Sequence, residues 1–238
     1  MGNAMRPRIF GFVFARGGSK GVVDKNIRHL GGEPLIAHTI KCALASGMLD
    51  RLIVSTEDEK IAAIAREYGA EVPFSRPAEL ASDNAPEWLA WRHAIEQVEA
   101  FDVFVSLPAT SPLRAPQDIL SCVNLYLEGD TDMVVTVRHA ARHPSFNMVK
   151  RDADGYLHLV MPPEGIIARR QDVPPVFDVT TVAYVSSPGF IRAATSVFQG
   201  RVKAVTIPDE RALDIDTEMD FAFAEFMLGR VGVERSLV

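Results

Sequence analysis

Ile9-Phe10-Gly11-Phe12-Val13-Phe14-Ala15-Arg16-Gly17-Gly18-Ser19-Lys20-Gly21 joins two signals in one short run. Its first six residues are continuously apolar and of strand length, as expected of a strand buried on both faces. The next seven break into a glycine-rich, cationic turn. Pro34 then suits the first turn of a helix that should end near Gly47. Strand, glycine loop and helix together make half of a βαβ unit.

Outward from this unit the alternation continues. A strand is expected over residues 51–55, with Ser55 or Thr56 capping a helix whose apolar residues Ile61, Ile64, Ala65 and Tyr68 recur at helical spacing until Gly69. A helix after Pro86, a strand over 101–107, a helix after Pro116 and a strand over 133–137 follow. Strands alternating with helices of this length predict a mostly parallel α/β sheet with helices on both faces. The rhythm breaks between Arg138 and Phe177, where Pro144, Pro162, Pro163, Pro174 and Pro175 cluster. There Asp152-Ala153-Asp154-Gly155 separates two apolar runs as a hairpin turn does. This is read as a β-rich insertion at 138–177 within an α/β domain formed by 8–137 and 178–230. Strands over 179–186 and 202–208 come next, and Thr217 with Asp220 offers a capping-box-like start to a last helix through Leu228.

Composition narrows the function. The 238 residues carry 25 Lys+Arg against 31 Asp+Glu, a net charge of −6, which argues against a broad nucleic-acid or membrane-surface footprint. Cys42 and Cys122 lack any CxxC spacing and are expected as reduced, buried thiols, so a cytoplasmic compartment is expected. No apolar run approaches the roughly 18 residues of a membrane span. The charge is nevertheless partitioned: the first thirty residues hold Arg6, Arg8, Arg16, Lys20, Lys25 and Arg28 against Asp24, and residues 209–220 hold six carboxylates against Arg211.

Chemistry concentrates at these two ends. The glycines of the loop let backbone N–H groups approach a ligand, and Arg16, Lys20 and Lys25 add three cations, a combination suited to a polyphosphate. Neither GxxxxGK[ST] nor GxGxxG is present, so a P-loop NTPase and a dinucleotide dehydrogenase are both disfavoured. Asp214-Ile215-Asp216 places two carboxylates at i and i+2 of an extended segment, on one side, as a hard cation such as Mg²⁺ or Mn²⁺ accepts. Acidic residues before a helix are also favoured by its dipole, and only the polyphosphate loop tips the reading toward a metal. Residues 76–84 and 107–114 occupy positions where ligand-facing loops of such a sheet lie. Trp88 and Trp91 read as a packing stripe. The six histidines form no HExxH and read as packing or surface residues, and no GxSxG elbow exists.

Taken together, ARGGSKG with Lys25-Asn26, STEDEKIAAIAREYGAEVPFSRPAELASDNAP, LPATSPLR and DIDTEMDF resemble the acylneuraminate cytidylyltransferase family, over nearly the whole chain. That family makes CMP-activated nonulosonic acids. The resemblance implies a Rossmann-like nucleotidyltransferase fold, a homodimer and a β-rich insertion reaching toward the partner subunit. It implies that Arg16, Ser19, Lys20, Lys25 and Asn26 hold CTP phosphates, that Arg76, Ala81 and Ser82 lie along cytosine and ribose, and that Asp214 and Asp216 bind Mg²⁺. Arg169 and Arg170, in ARRQDVP, match a segment where an arginine approaches the sugar-acid carboxylate. Two segments depart from the pattern: Pro108-Ala109 stands where the family has Gln-Pro, and Thr180-Thr181-Val182-Ala183-Tyr184 where it has Asn-Gly-Ala-Ile-Tyr. Both fall on the expected sugar side, which leaves open a CMP-Kdo-type synthetase, and a catalytically silent nucleotide-binding homologue stands as a further alternative.

Overall fold

The computed structural model describes residues 6–19, 21–82, 85–163, 165, 169 and 172–236, with side chains to residue 230. A six-stranded sheet contains β1 (Ile9–Phe14), β4 (Arg51–Ser55), β5 (Val103–Ser106), β6 (Met133–His139), β9 (Phe177–Ser186) and β10 (Val202–Thr206), in the order β10-β6-β9-β5-β1-β4. β1 pairs parallel with β4 and β5, and β6 pairs parallel with β10; β9 alone runs antiparallel, between β5 and β6. Two short pairs lie apart: β2 (His29–Leu30) with β3 (Glu33–Pro34), and β7 (Val149–Arg151) with β8 (Leu157–Leu159) around the expected 152–155 turn.

The alternation of β1 decides which helices cover which face. Ile9 and Val13 point into a core completed by α1 (Leu35–Ala45), α2 (Glu59–Glu67) and α4 (Pro116–Leu127). Phe10 and Phe12 point the other way, against α3 (Glu87–Glu96) and α5 (Pro188–Ala193). Trp88 and Trp91 are packing residues in that second core, the Trp88 indole N–H donating to Ile191 O at 3.1 Å and Ala194 O at 2.8 Å. No described helix is long and apolar enough to cross a membrane.

Some expectations shift in detail. The cap of α2 is Asp58, whose carboxylate accepts the N–H groups of Lys60 and Ile61 at 2.7 and 3.2 Å, rather than Ser55 or Thr56. Ser55 is still inside β4, and a short loop separates it from the helix. The last helix, α6 (Glu218–Ser236), begins as expected, with Thr217 and Asp220 each taking the other's backbone N–H. It passes Leu228 through two glycines, Gly229 and Gly232, each of which costs a helix interior only about 1 kcal/mol. Cys122 is buried, whereas Cys42 is only half-buried; both are free thiols, with pKa values pushed up by burial to about 12 and about 11. Strand pairing also claims Arg138, His139 and Phe177 at the margins of the 138–177 stretch.

The order of strands places the ligand site. The chain leaves β1 to one side, toward β4, and crosses to the other side for β5, so the sheet reverses direction at β1. Open α/β sheets bind ligands at such a point, beyond the carboxyl ends of the strands.

Candidate active site

A cleft of about 410 Å³ opens beyond the carboxyl end of β1, lined among others by Phe14, Arg16, Ser19, Gly21, Lys25, Asn26, Arg76, Ser82, Glu87, Thr110 and Asp216. It therefore gathers the loop after β1, the segment after β4, the loop after β5 and the acidic segment after β10. Residues 15 and 215, two hundred positions apart, share one edge because the parallel strands all end there.

The loop's three glycines do three different jobs. A Cβ on Gly21 would lie 2.2 Å from the Asp216 carbonyl oxygen, so only glycine lets the loop close on the acidic segment. A Cβ on Gly17 would lie 2.8 Å from Asp58 Oδ2, and its N–H donates to Glu57 Oε1 at 2.7 Å. Gly18 supplies a positive φ of 65°. Gly21 is thus demanded by the protein's own backbone, whereas a side chain at Gly17 would have to displace the Asp58 carboxylate.

Lys25 ties the same two ends together. Its ammonium donates to Ile215 O at 2.6 Å and reaches Asp216 Oδ1 at 3.4 Å, leaving one of its three N–H bonds for another acceptor. Asn26 is buried and its amide donates to Arg16 O at 2.9 Å, which staples the loop. Arg16 reaches across the cleft to Ala81 O at 3.4 Å. Arg76 is buried against Glu57, at 3.0 Å, and Ser82 is exposed at the rim. Burial lowers the Arg76 pKa, and the Glu57 carboxylate opposes that shift.

The acidic pair is unequal. Asp216 is exposed, but Asp214 is half-buried, its Oδ1 has no hydrogen-bond partner, and the hydroxyls of Thr110 and Thr181 lie close enough to favour its charged form. Burial raises the Asp214 pKa, the nearby Asp216 charge adds to that, and the two threonines with Lys25 oppose it. A carboxylate oxygen left orphaned beside a second carboxylate is a donor set that suits a hard divalent cation. Behind Asp214, Arg114 is buried, donating to the carbonyls of Pro108 and Thr181, and its pKa is lowered by burial to about 10. Thr181 reaches this cluster through a bulge: the register of β6 and β9 jumps between Val135 opposite Tyr184 and Thr136 opposite Thr180. Thr136 Oγ1 plugs the bulge by accepting Ala183 N–H at 3.2 Å, and the Thr181 hydroxyl meets Ser111 Oγ at 2.7 Å.

Of the residues expected at the site, Arg16, Ser19, Lys25, Asn26, Arg76, Ser82 and Asp216 line the cleft, Ala81 touches Arg16 and Asp214 lies behind Thr110. Lys20 and Arg170 lie outside the described residues. Arg169 is not among the residues lining the cleft; it is exposed in the insertion, its guanidinium paired with Asp172 at 3.3 Å. Thr110 and Arg114 fall in the 107–114 loop and Thr181 in the departing 180–184 segment, both marked in sequence without a role for these residues; Glu57 and Glu87 were not singled out, because nothing local shows that Glu57 meets Gly17 and Arg76 or that Glu87 lines the cleft.

A model of the family described as cytidylyltransferase matches residues 10–178. The chain belongs to the cytidylyltransferase family. Its membership covers the glycine loop, the 76–82 segment and the insertion. The chain is 33% identical over 221 residues to a CMP-N,N'-diacetyllegionaminic acid synthase of Campylobacter jejuni, covering 91% of this chain and 93% of that one. It is 34% identical over 209 residues to an N-acylneuraminate cytidylyltransferase of Streptococcus agalactiae, covering 87% of this chain but 50% of that longer protein. A solved structure titled as a CMP:2-keto-3-deoxy-manno-octonic acid synthetase complexed with CTP superposes with a TM-score of 0.71 at 14% identity, covering 94% of this chain and 99% of that one, which shows the fold. The expected nucleotidyltransferase fold and family are both borne out.

Proposed function

We propose that this cytidylyltransferase transfers CMP from CTP to the anomeric hydroxyl of a nonulosonic acid and releases pyrophosphate. The observation that carries the reading is the closure of one cleft by the cationic glycine loop and the Asp214/Asp216 segment, with Gly21 against the Asp216 carbonyl and Lys25 across both. Cations for the phosphates and carboxylates for a divalent cation, gathered around one polar cavity, together suit a metal-bound triphosphate. The legionaminic acid relative favours an acid of that class, and the departing segments meet behind Asp214, where Arg114 donates to the carbonyls of Pro108 and Thr181.

In this reading Arg16, Lys20 and Lys25 offset phosphate charge, Ser19 and Asn26 shape the loop around it, and Arg76, Ala81 and Ser82 lie along the base and ribose. Asp214 and Asp216 hold Mg²⁺ or Mn²⁺, which when bound supplies charge neutralisation on the triphosphate. The sugar hydroxyl oxygen attacks the α-phosphorus, its proton passing to water, and the bond to pyrophosphate breaks. The chain contributes alignment of the two reactants and fixed charges aimed at the leaving phosphates. Arg169 and Arg170 take the acid's carboxylate from the insertion of a partner subunit, in a homodimer joined through the exposed apolar residues of that insertion. Unpaired, poorly acidic thiols fit a reducing, cytoplasmic compartment.

Pyrophosphate release from CTP and Mg²⁺, measured with legionaminic, sialic, pseudaminic and Kdo acids, tests the reading. Release with a nonulosonic acid is expected. Release with Kdo alone would move the chain to that synthetase class, and CTP binding without release for any acid would make it a silent homologue. Lys20→Ala with undiminished turnover at saturating CTP would remove the phosphate role of the loop.

A further inference from the structure

Glu57 follows β4 at the point where two loops of the cleft begin to diverge. Its carboxylate spans them: Oε1 accepts the Gly17 N–H at 2.7 Å and Oε2 accepts Arg76 Nη2 at 3.0 Å. The pair is well shielded, with side chains 22% and 5% exposed for Glu57 and Arg76, so it is stronger than an ordinary surface ion pair. Backbone contacts fix the same junction from both sides. Arg76 N–H donates to Thr56 O at 2.9 Å, and Gly17 is pressed so closely on Asp58 that a Cβ there would meet its carboxylate at 2.8 Å. At the opposite end of the cleft, Arg16 and the Ala81 carbonyl join the same two loops at 3.4 Å.

We infer that Glu57 is a positioning residue that holds the glycine loop and the Arg76 segment in register, so that the triphosphate and base ends of CTP are bound as one coupled unit. The inference rests on the CTP reading and adds to it. Because Glu57 takes the Gly17 N–H, that donor is withdrawn from phosphate, and the loop's remaining donors and cations must meet the triphosphate. Because the same carboxylate aims Arg76, a disturbance at one end is transmitted to the other through a single side chain.

Calorimetric CTP titration of the full chain tests this. Glu57→Gln keeps one acceptor oxygen but turns an NH₂ toward either Gly17 N–H or Arg76, so it should lower the melting midpoint and, at a temperature where the variant is still fully folded, raise the Kd for CTP about tenfold. Glu57→Asp, one methylene too short to span both loops, should weaken binding several-fold. Arg76→Ala should cost less in the Glu57→Gln background than in the wild type, since the two share one interaction. Wild-type CTP affinity in both Glu57 variants, or fully multiplicative effects of Glu57→Gln and Arg76→Ala, would overturn the inference while leaving the CTP reading intact. A wild-type chain with no affinity for CTP would overturn the reading and the inference together.

Discussion

The two halves of β9 are made of similar residues and meet different surroundings. Val182, Ala183 and Val185 are fully buried between β5 and β6, while Phe177 and Val179 are 44% and 47% exposed at the end that leads from the insertion. The insertion continues that pattern, with Val149, Tyr156, Leu157 and Met161 all more than half exposed. The inner half has its backbone, its side chains and even its bulge satisfied by this chain alone. The outer half and the arm present apolar surface of the kind that marks an interface. One strand thus runs from a self-sufficient wall behind the cleft to a surface suited to a second molecule, and each half can be broken separately.

The largest effect is expected at the inner end. Asp214→Asn removes the negative charge and one of the two oxygens, leaving a neutral amide that is a weaker ligand for a divalent cation, and should lower the rate of pyrophosphate release by about 10²-fold or more. Its melting midpoint should stay at or above the wild-type value, because burial disfavours the charge that is removed. A rate within threefold of wild type would detach Asp214 from the chemistry. Gly21→Ala should approach the same loss by another route, since its methyl would collide with the Asp216 carbonyl and push the loop off the acidic segment. Turnover at the wild-type rate would mean that the loop and the segment need not close.

At the outer end, Leu157→Asp combined with Val149→Lys should yield monomers by light scattering, with a melting transition that retains the wild-type helix signal. Activity should fall with dilution in the wild type and be low at all concentrations in the variant, because Arg169 would no longer be delivered to a neighbouring cleft. A wild-type chain that is already monomeric and active would remove the interface from the account. Within the inner half, Thr181→Val deletes a hydroxyl shared with Ser111 and Asp214 while keeping the shape, and should lower activity about three- to tenfold. Thr181→Ser should restore it.

The contrast also explains what the sequence could show. Strands and helices of the α/β sheet were legible because their periodicity is local, and the glycine loop and acidic pair because their spacing is. The antiparallel direction of β9 was not, since residues 179–186 form a short apolar run that fits either direction. The Thr136 plug and the bulge beside it depend on register between strands more than forty residues apart. Glu57 received no reading in sequence, and only the folded junction shows that it faces Gly17 and Arg76. Gly17 and Gly21 were correctly singled out, but for approach to a ligand, where the structure shows close contact with Asp58 and with Asp216.

The smallest expected effect separates stability from function inside the cleft wall. Glu87 begins α3, faces the open cleft and accepts the Trp91 indole N–H at 3.2 Å. The residue is exposed to the cleft, so solvent screens the effect, but surrounding protein raises its pKa, with Asp214 adding to the rise and Trp91 and Arg76 opposing it. The folded chain therefore binds this proton more tightly than the unfolded chain, and stability falls as pH rises from the ordinary carboxylate range through the raised folded value. Glu87→Gln keeps an oxygen for Trp91 and removes the charge, so it should melt higher than wild type near neutral pH. The gap should close as the pH drops below the ordinary carboxylate range, where the wild-type group is protonated in both states. A gap that persists unchanged in acid would assign the effect to packing, and a wild type that melts higher at neutral pH would mean that attraction to Arg76 outweighs burial.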